Sequence, residues 1–566
     1  MCPILSDHDL GGFPFGAPPT PKNPGKSRYC YLFPTLVDDP PPNKGQKPGV
    51  FSDSLGDEQE TITRLLAIAL WIEQQNSKVD QSDLSMRIDT PAAYTYFAQF
   101  VNHDLSAPVG GMLEDVNALP NAVTIEQVEL FAGKTWRGNA KAILDHFQNE
   151  HQRPLNLSSL YGEGPFGEGG QPPSDECRQM YDAEGLHFKL GKTCDVKDSF
   201  PRLTAKDPNL VHRCIDAPDI PRETDPAQNP KPLIADRRND GNLILSQIHL
   251  ALMLFHNKAV DALHPQYADP QTCFAVARRL VTQHYHWCIL HDFLPRILSE
   301  RVLNRLDIND DAGPTLTEVP LEFTTAAYRF GHSMVAGSYD YNANFGKEAM
   351  INTKAALGDL ISFTTRMGMG GLGAHSPLPN HWVVDWDRLT DPDRKGLSRA
   401  DMIDMKFAKE MMDAASKNRD GMGSIVARNL ARGFHRRIPF GQVLAVACGV
   451  EVLTSDQIRE VMPNKLAHDP EHPELSNDRL QIILTETPAW LYFLCESRIL
   501  EGGKRVGPTA SHIIAQTFIG LIHSDDQSIL GAAGRSWTPA QSPLKTMNDG
   551  PIASLRDLLL LVVATP

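Results

Sequence analysis

The stretch PAAYTYFAQFVNHDLS, residues 91–106, is the part of the chain that most strongly indicates how it folds. Its aromatic and aliphatic residues recur at helical spacing, so it predicts a helix that begins near Pro91. Gln99 and His103 are four residues apart and share one face of that helix, while Asp104 turns away from it. The helix would therefore place a base beside a polar anchor, with a carboxylate behind them.

The composition of the chain narrows the class of protein. Its 566 residues carry a formal net charge of −15 and are 41% hydrophobic, which is typical of a globular protein. Phosphate binding needs a surplus of Lys and Arg, so the charge argues against nucleic acid as the main partner. No uninterrupted apolar run approaches the ~20 residues of a membrane span, so none is expected.

The N-terminus and the cysteines bear on the cellular compartment. The opening MCPILSDHDLGGFPFG has neither the basic nor the apolar region of a signal peptide, so a cytoplasmic or non-classically exported protein is expected. The nine cysteines are scattered without a CxxC pair. This pattern argues against zinc and iron–sulfur sites and favours free thiols in a reducing compartment.

Helical patterns dominate, and the alternation typical of strands is scarce. The sequence therefore predicts a mainly α fold with one large core and many long loops. The expected organisation is an irregular Pro- and Gly-rich arm at 1–57, one domain at 58–535 and a tail at 536–566 that packs on the core. Further helices are predicted at 58–75, 243–264, 273–298, 322–335, 400–416, 478–500 and 506–523.

Three polar residues outside the opening stretch could carry chemistry. His332, in AAYRFGHSMV, is either a hydrogen-bonded core histidine, the commoner case on an apolar helix, or a metal ligand. Arg238, in LIADRRNDGN, is either a solvated loop residue or a guanidinium that stabilises a developing oxyanion. Asn429, in IVARNLARGFHRRIP, is either a cap or an acceptor for an imidazole N–H.

Together, five ordered segments resemble the animal-type haem peroxidases, the superfamily of myeloperoxidase and peroxidasin, with the cyclooxygenases as more distant members. FAQFVNHDL is similar to the distal-histidine motif, and DRRNDGNLILSQIHLALMLFHNKAV to the segment with the distal arginine. FTTAAYRFGHSMV resembles the proximal-histidine helix, NLARGFHRRIPFG the segment whose asparagine supports that histidine, and GGKRVGPTASHIIAQTF a late helix. The resemblance implies the large helical fold of that family.

The resemblance also implies a role for each matching residue. His103 matches the distal acid–base, Gln99 the distal glutamine that orders water or a halide, and Arg238 the distal arginine. His332 matches the ligand of the haem iron, and Asn429 matches the hydrogen-bond partner of that ligand. These roles are those of an enzyme that moves the proton of a peroxide while a cation stabilises transient charge.

Departures from the family pattern concern how the haem is held. Mammalian members attach haem through an Asp directly before the distal histidine and a Glu three residues after the distal arginine, where this chain has Asn102 and Gly241. Asn242 stands where myeloperoxidase has its haem-linked Met. An amide does not readily form the ester, so a non-covalent haem b beside Asn102 is expected. Fewer links imply a less oxidising iron, and chloride oxidation is not expected.

The residue three places before His332 separates two branches of the fold. Cyclooxygenases and fatty-acid dioxygenases have a radical Tyr there, whereas this chain has Arg329, the peroxidase pattern, in a position to bind the cofactor. Tyr328 is one place off and on a different helical azimuth. This difference argues against lipid oxygenation.

A calcium site is only half present in the sequence. Asp104 matches a calcium-binding aspartate of the family, and the loop LNLSSLYG supplies Asn156 and Ser158 where the family has further ligands. Two earlier ligand positions hold Gln152 and Pro154, which are poor matches. Calcium prefers several oxygens with net negative charge, so bound calcium and its absence both stay open.

The resulting hypothesis is a haem peroxidase that reduces hydrogen peroxide, oxidises phenols, aromatic amines, iodide, bromide or thiocyanate, and acts in the response to oxidative stress. A fatty-acid dioxygenase of the same fold and a haem-free interaction protein are the alternatives. The sequence does not indicate the natural donor or the oligomeric state.

Overall fold

The structure is a computed structural model that describes the following parts of the chain: residues 27–37, 65–73 in part, 87–107, 140–151 in part, 155–194 in part, 214–223 in part, 232–306, 316–346, 354–364 in part, 378–411 in part, 425–462 and 483–562. Gln152, Pro154 and most of the predicted arm at 1–57 lie outside the described residues.

The fold is mainly α-helical, as the sequence predicts. The helices are α1 Ala93–Leu105, α2 Ala140–His146, α3 Ser158–Tyr161, α4 Asp175–Gln179, α5 Leu243–Leu263, α6 Pro270–Cys288, α7 Leu294–Ile297, α8 Glu300–Leu303, α9 Leu321–Thr325, α10 Leu357–Ser362, α11 Trp386–Thr390, α12 Ile425–His435, α13 Gly441–Ala447, α14 Ser455–Val461, α15 Ala489–Leu500, α16 Pro508–His523 and α17 Leu555–Val562. Short 3-10 helices cover Pro34–Leu36, Arg237–Asp240, Ala327–His332, Asn380–Trp382 and Pro539–Gln541, and a π-helical turn covers Ile289–Phe293.

The strands are short and pair in small sheets. They are β1 Ser27–Cys30, β2 Arg87–Pro91, β3 Gln148–Asn149, β4 Gly191–Lys192, β5 Pro218–Asp219, β6 Val319–Pro320, β7 Ser338–Tyr339, β8 Ala355–Ala356 and β9 Arg399–Asp401. The described strands form one three-stranded sheet in the order β3-β1-β6 and the pairs β2-β9, β4-β5 and β7-β8.

Helices α1, α5 and α6 form the centre of the core. α5 packs against both α1 and α6, and every residue of α1 except Asn102 is buried. By length and composition α5 could cross a membrane, and it is the one described helix with this property. However, 83% of its most apolar window is buried inside the protein, so its apolar character is explained by the core.

Helix α1 begins at Ala93 rather than at Pro91, because strand β2 includes Pro91. β2 pairs antiparallel with β9, and this pairing fixes the direction in which α1 enters the core. The predicted helix at 400–416 is wrong at its start for the same reason, since pairing with β2 holds β9 in an extended conformation.

The predicted helix at 322–335 is broken in the structure. α9 ends before Ala326, whose backbone leaves helical geometry with φ −128° and ψ −62°, and a 3-10 helix follows at Ala327–His332. A 3-10 helix has about three residues per turn, so side chains three apart lie one above the other. Arg329 and His332 therefore share one side of this element.

Three other predicted helices are confirmed with shifted ends, while most of the helix predicted at 58–75 lies outside the described residues. The helix predicted at 273–298 begins earlier, at Pro270, because Asp269 accepts the N–H of Thr272 and caps α6. The helices predicted at 243–264 and 506–523 correspond to α5 and α16. Within the predicted tail, α17 packs against α5.

Strand β1 brings the described part of the N-terminal arm into the core. It pairs antiparallel with β3 and parallel with β6. The buried carboxylate of Glu322 accepts the N–H groups of Leu32 and Phe33 at 2.9 and 3.0 Å. The Tyr31 hydroxyl donates to the carbonyl of Arg436 at 2.7 Å. These contacts attach the residues that follow β1 to α9, which directly precedes the 3-10 helix of His332, and to the end of α12, which carries Asn429.

Candidate functional site

His103 lies near the end of α1, and its side chain is fully buried. Its Nδ1 is 2.8 Å from Oδ1 of Asn239, the residue after Arg238. When Nδ1 carries the ring proton and donates it to this oxygen, Nε2 keeps its lone pair and can act as a base. Sequence reasoning missed Asn239, although it directly follows a predicted site residue.

The buried guanidinium of Arg238 is tied to the end of α1. Its Nη1 donates to the carbonyl of Ser106 and its Nη2 to the carbonyl of His103, each at 2.8 Å. Asp236 forms an ion pair with Nη2 at 2.5 Å. Burial alone would raise the pKa of Asp236, but the adjacent guanidinium outweighs it and holds that pKa well below its ordinary value. Arg238 is therefore a fixed cation next to the His103 backbone.

Gln99 is buried one turn before His103, as predicted. Its Oε1 accepts from Nδ2 of Asn242 at 3.2 Å. Oδ1 of Asn242 in turn caps α5 by accepting the N–H of Leu245 at 2.9 Å. Because the cap fixes Asn242, it also fixes which end of the Gln99 amide accepts a hydrogen bond.

Asn102 and Gly241, which stand where mammalian members of the family that the sequence resembles have linking carboxylates, are next to His103 and Asn242 in the chain. Asn102 is half-buried, and its backbone carbonyl accepts the N–H of Ser106 at 3.1 Å. The carbonyl of Gly241 accepts the hydroxyl of Thr364 at 3.4 Å. Neither position presents a carboxylate.

His332 is buried at the end of its 3-10 helix, which packs against α1. The two predicted site histidines are thus carried by elements in contact. Arg329 lies one 3-10 turn before His332 and is also buried. Its Nε donates to the carbonyl of Thr324 at 2.7 Å. This hydrogen bond holds the guanidinium of Arg329 on the side of the 3-10 helix that it shares with His332.

Asn429, on α12, is the partner of His332. Its Nδ2 lies 3.2 Å from Nδ1 of His332, while its Oδ1 is buried without a hydrogen-bond partner among the described residues. A 180° rotation of the side-chain amide exchanges Nδ2 and Oδ1 of Asn429. Oδ1 then accepts the N–H of Nδ1 of His332. In that arrangement Nε2 of His332 has a lone pair and can bind a metal.

Four buried arginines near Asn429 were not singled out from the sequence. Arg428, Arg432, Arg436 and Arg437 are 2, 4, 5 and 5% exposed, and Nη1 of Arg436 donates to Thr325 at 3.2 Å. Buried guanidinium groups are costly unless anions or acceptors surround them. The four arginines within RNLARGFHRR were the available signal, but a dense run of arginine is equally typical of a solvated helix face.

Asp104 turns away from His103, as predicted, and is held by the segment at 155–161, which consists of a short loop and α3. One carboxylate oxygen accepts the N–H of Leu157 at 3.0 Å, and the other accepts the N–H of Ser159 at 3.1 Å. Leu155 and Leu157 have φ of 63° and 55°. Left-handed residues in such a loop turn N–H groups inward and create a concavity for an anion. Burial raises the pKa of Asp104 to about 6, although these hydrogen bonds oppose the shift.

These contacts do not fit a calcium ion, which needs oxygen ligands. The Ser159 hydroxyl also donates to Asp104, at 3.2 Å, so donors occupy both carboxylate oxygens. The carbonyl of Asn156 faces the cationic Arg278, whose Nη2 is 3.5 Å away. In the part of the chain that the structure describes, no group of three or more His, Cys, Asp or Glu could hold a metal ion. The hydrogen bonds to Asp104 therefore argue against a calcium ion here, and the site of Asp104, Asn156 and Ser158 that the sequence half matches stays a prediction.

A haem group, by contrast, fits the donor set. Two buried imidazoles on contacting elements each have Nδ1 against an asparagine amide, which leaves Nε2 as the end able to bind or react. With its amide rotated, Oδ1 of Asn429 faces His332 and is the acceptor that an iron-bound His332 would require. The buried arginines offer donors suited to the carboxylates of such a group.

Comparison with solved structures places the fold among helical peroxidases and dioxygenases. Peroxidase A of Dictyostelium discoideum matches with a TM-score of 0.52 and 15% identity over 96% of this chain and 98% of that one. A fatty acid alpha-dioxygenase of Oryza sativa matches with a TM-score of 0.52 and 12% identity over 84% of this chain and 75% of that one. Identities this low show the fold alone.

Sequence comparison finds similarity to one family over part of the chain. Residues 199–372 match the model of the animal haem peroxidases. Chorion peroxidase of Drosophila melanogaster is 33% identical over 122 residues, which cover 19% of this chain and 15% of that protein. Human thyroid peroxidase is 28% identical over 188 residues, 32% of this chain and 19% of that protein. The match thus spans less than a fifth of either relative. Residues 199–372 are therefore the part of the chain that is similar to the animal haem peroxidases.

Proposed function

We propose that this chain is a haem-dependent peroxidase that reduces hydrogen peroxide with electrons from small donors. The observation that carries the proposal is the matched pair of buried histidines. Nδ1 of His103 is 2.8 Å from Asn239, and Nδ1 of His332 is 3.2 Å from Asn429. An amide against each δ nitrogen leaves one ε nitrogen for iron and the other for a proton.

When bound, haem supplies the redox chemistry of O–O cleavage and donor oxidation. His332 would hold the iron, and Asn429 would fix its ring and raise its basicity. Nε2 of neutral His103 takes a proton from hydrogen peroxide and returns it to the oxygen that leaves as water. Arg238 stabilises the negative charge that develops on the oxygens. Gln99 orders water or a halide beside His103.

The cofactor we propose is haem b held without covalent links. Asn102 and Gly241 support this proposal because neither offers a carboxylate that could form an ester. Arg329 shares the side of the 3-10 helix with His332, so its guanidinium is a suitable partner for a haem carboxylate. The proposed donors are phenols, aromatic amines, iodide, bromide and thiocyanate, and the proposed role is in the response to oxidative stress.

The fatty-acid dioxygenase alternative requires a Tyr on the same side as the iron ligand. In a 3-10 helix that side belongs to Arg329, three residues before His332, and not to Tyr328. The Tyr328 ring stacks on Phe323, with ring centroids 4.7 Å apart, and contacts Phe518 edge-on at 5.5 Å. Tyr328 therefore serves the aromatic core, and we do not propose lipid oxygenation.

The test is an absorption spectrum of the purified protein reconstituted with haem, followed by acid–acetone extraction and a pyridine haemochrome assay. We expect a Soret band and complete extraction of the haem. His332→Ala should lose the band, and His103→Ala should keep it but lose peroxide cleavage by about 10²- to 10⁴-fold. A wild-type protein without a Soret band, or an unchanged band in His332→Ala, would overturn the assignment.

A further inference from the structure

We propose that His249 is a positioning residue that fixes, through the amide of Asn239, which nitrogen of His103 carries the ring proton. No motif singled out His249, which lies inside α5 and whose Nδ1 meets the amide of Asn239. The consequence for turnover depends on the proposed peroxidase function, but the proton placement itself does not.

The geometry is a chain of two hydrogen bonds. Oδ1 of Asn239 lies 2.8 Å from Nδ1 of His103, and Nδ2 of the same amide lies 3.1 Å from Nδ1 of His249. All three side chains are 0% exposed, so water does not compete for these contacts. Asn239 belongs to the 3-10 turn that also carries Arg238, so the amide is held by the same turn as the cation.

The direction of the chain follows from the orientation of the Asn239 amide and from what each atom can do. An amide donates only from nitrogen and accepts only through oxygen. With Nδ2 toward His249, that histidine must accept through an unprotonated Nδ1. Burial lowers the pKa of His249 to about 4, with only partial opposition from Asp236 and Asp240, so at neutral pH the ring is neutral. Its single proton is then on Nε2.

The other end of the amide then has one consistent arrangement. Oδ1 of Asn239 can only accept, so Nδ1 of His103 must be the protonated nitrogen. Nε2 of His103 is left with the lone pair that a base needs. If the amide were turned, the proton of His103 would move to Nε2, and the ring could not take a proton from peroxide.

A matched pair of substitutions separates this role from packing. His249→Asn keeps an acceptor near the position of Nδ1, while His249→Leu has the same branched shape as Asn and no acceptor. We expect His249→Leu to lower the rate of peroxide cleavage about tenfold or more. The upper bound is the whole contribution of a general base, about 10²- to 10⁴-fold. His249→Asn should restore most of the rate, with the Soret band alike in both.

The direct readout is ¹⁵N NMR of the histidine-labelled full chain without haem, with His103 assigned from the spectrum of His103→Gln. We expect His103 to be protonated at Nδ1 in the wild type and in His249→Asn, and a mixture of both tautomers in His249→Leu. Protonation of His103 at Nε2 in the wild type, or equal spectra for the two variants, would overturn the proposal. A chain that binds no haem would contradict the peroxidase function without touching this result.

Discussion

At the scale of single residues, amide side chains order the site. Asn239 and Asn429 each lie against the Nδ1 of a histidine whose Nε2 is proposed to do chemistry. Spacing within one helix was enough to predict that Gln99 and His103 lie together. The contact between Asn239 and His103 joins residues 136 positions apart, and no local pattern reveals such a pair. Asn429 could be named beforehand only because its segment resembles a family motif.

One buried carboxyl group makes stability depend on pH. Glu496, on α15, accepts the N–H and hydroxyl of Thr509 at 2.8 and 2.7 Å at the start of α16. Burial raises its pKa from 4.5 to about 7, because desolvation outweighs these hydrogen bonds. Between these values the folded chain keeps a proton that the unfolded chain has released. Stability is therefore full below about pH 4.5 and falls as pH rises through about 7.

We expect the contribution of Glu496 to reach at most about 3 kcal/mol across this window. Glu496→Gln cannot ionise, and the Thr509 hydroxyl can rotate to accept from the new amide. The free energy of unfolding of the variant, measured with urea, should therefore exceed that of the wild type at pH 9 and not at pH 4. The control is Glu184→Gln, at an exposed position, which should change the free energy of unfolding equally at the two pH values. The same difference at both pH values in Glu496→Gln would contradict the expectation.

At the scale of elements, long helices were predictable and short ones were not. α5 and α16 are 21 and 16 residues long, so their apolar period repeats over several turns. β1 has four residues and β6 has two, which is too short for an alternating pattern to show. The break at Ala326 was missed because the 3-10 helix has only six residues. Over so short a segment, the spacing of apolar residues does not distinguish the three residues per turn of a 3-10 helix from the 3.6 of an α-helix.

The segment at 155–161 should be attached to α1 without a metal. Asp104 accepts two N–H groups and a hydroxyl from this segment, which occupy the carboxylate oxygens that calcium would need. We therefore expect the melting temperature to be the same in excess EDTA and in millimolar calcium, measured by differential scanning calorimetry. Asp104→Asn should cost about 2 kcal/mol, because its NH₂ group faces N–H donors. A lower melting temperature in EDTA that calcium restores would show a bound ion instead.

At the scale of the whole molecule, the site is assembled from distant parts of the chain. α1, the turn at 237–240, the 3-10 helix at 327–332 and α12 each contribute one or two side chains, and the core helix α5 connects the first two. Hydrophobic period and motif order were sufficient to predict that these elements share a core. Which loop or strand closes the core depends on contacts across hundreds of residues, as with Tyr31 and Arg436, which are 405 positions apart.

The N-terminal segment illustrates this dependence and supplies a test at the same scale. Tyr29 is buried, and its hydroxyl is 2.6 Å from that of Ser106, whose carbonyl accepts from Arg238. Glu322 fixes the residues that follow β1 to α9. Removing residues 1–37 would expose this core surface, loosen the end of α1 that holds Arg238, and remove two hydrogen-bond donors from the Glu322 carboxylate.

We therefore expect the chain without residues 1–37 to melt several degrees lower and to retain less haem after gel filtration. Glu322→Gln in the full chain should have a smaller effect in the same direction, because its amide oxygen can still accept one of the two N–H groups. Tyr29→Phe, which removes only the hydroxyl contact to Ser106, is the mildest member of the series. A truncated chain with an unchanged melting temperature and unchanged haem retention would mean that β1 does not support the site.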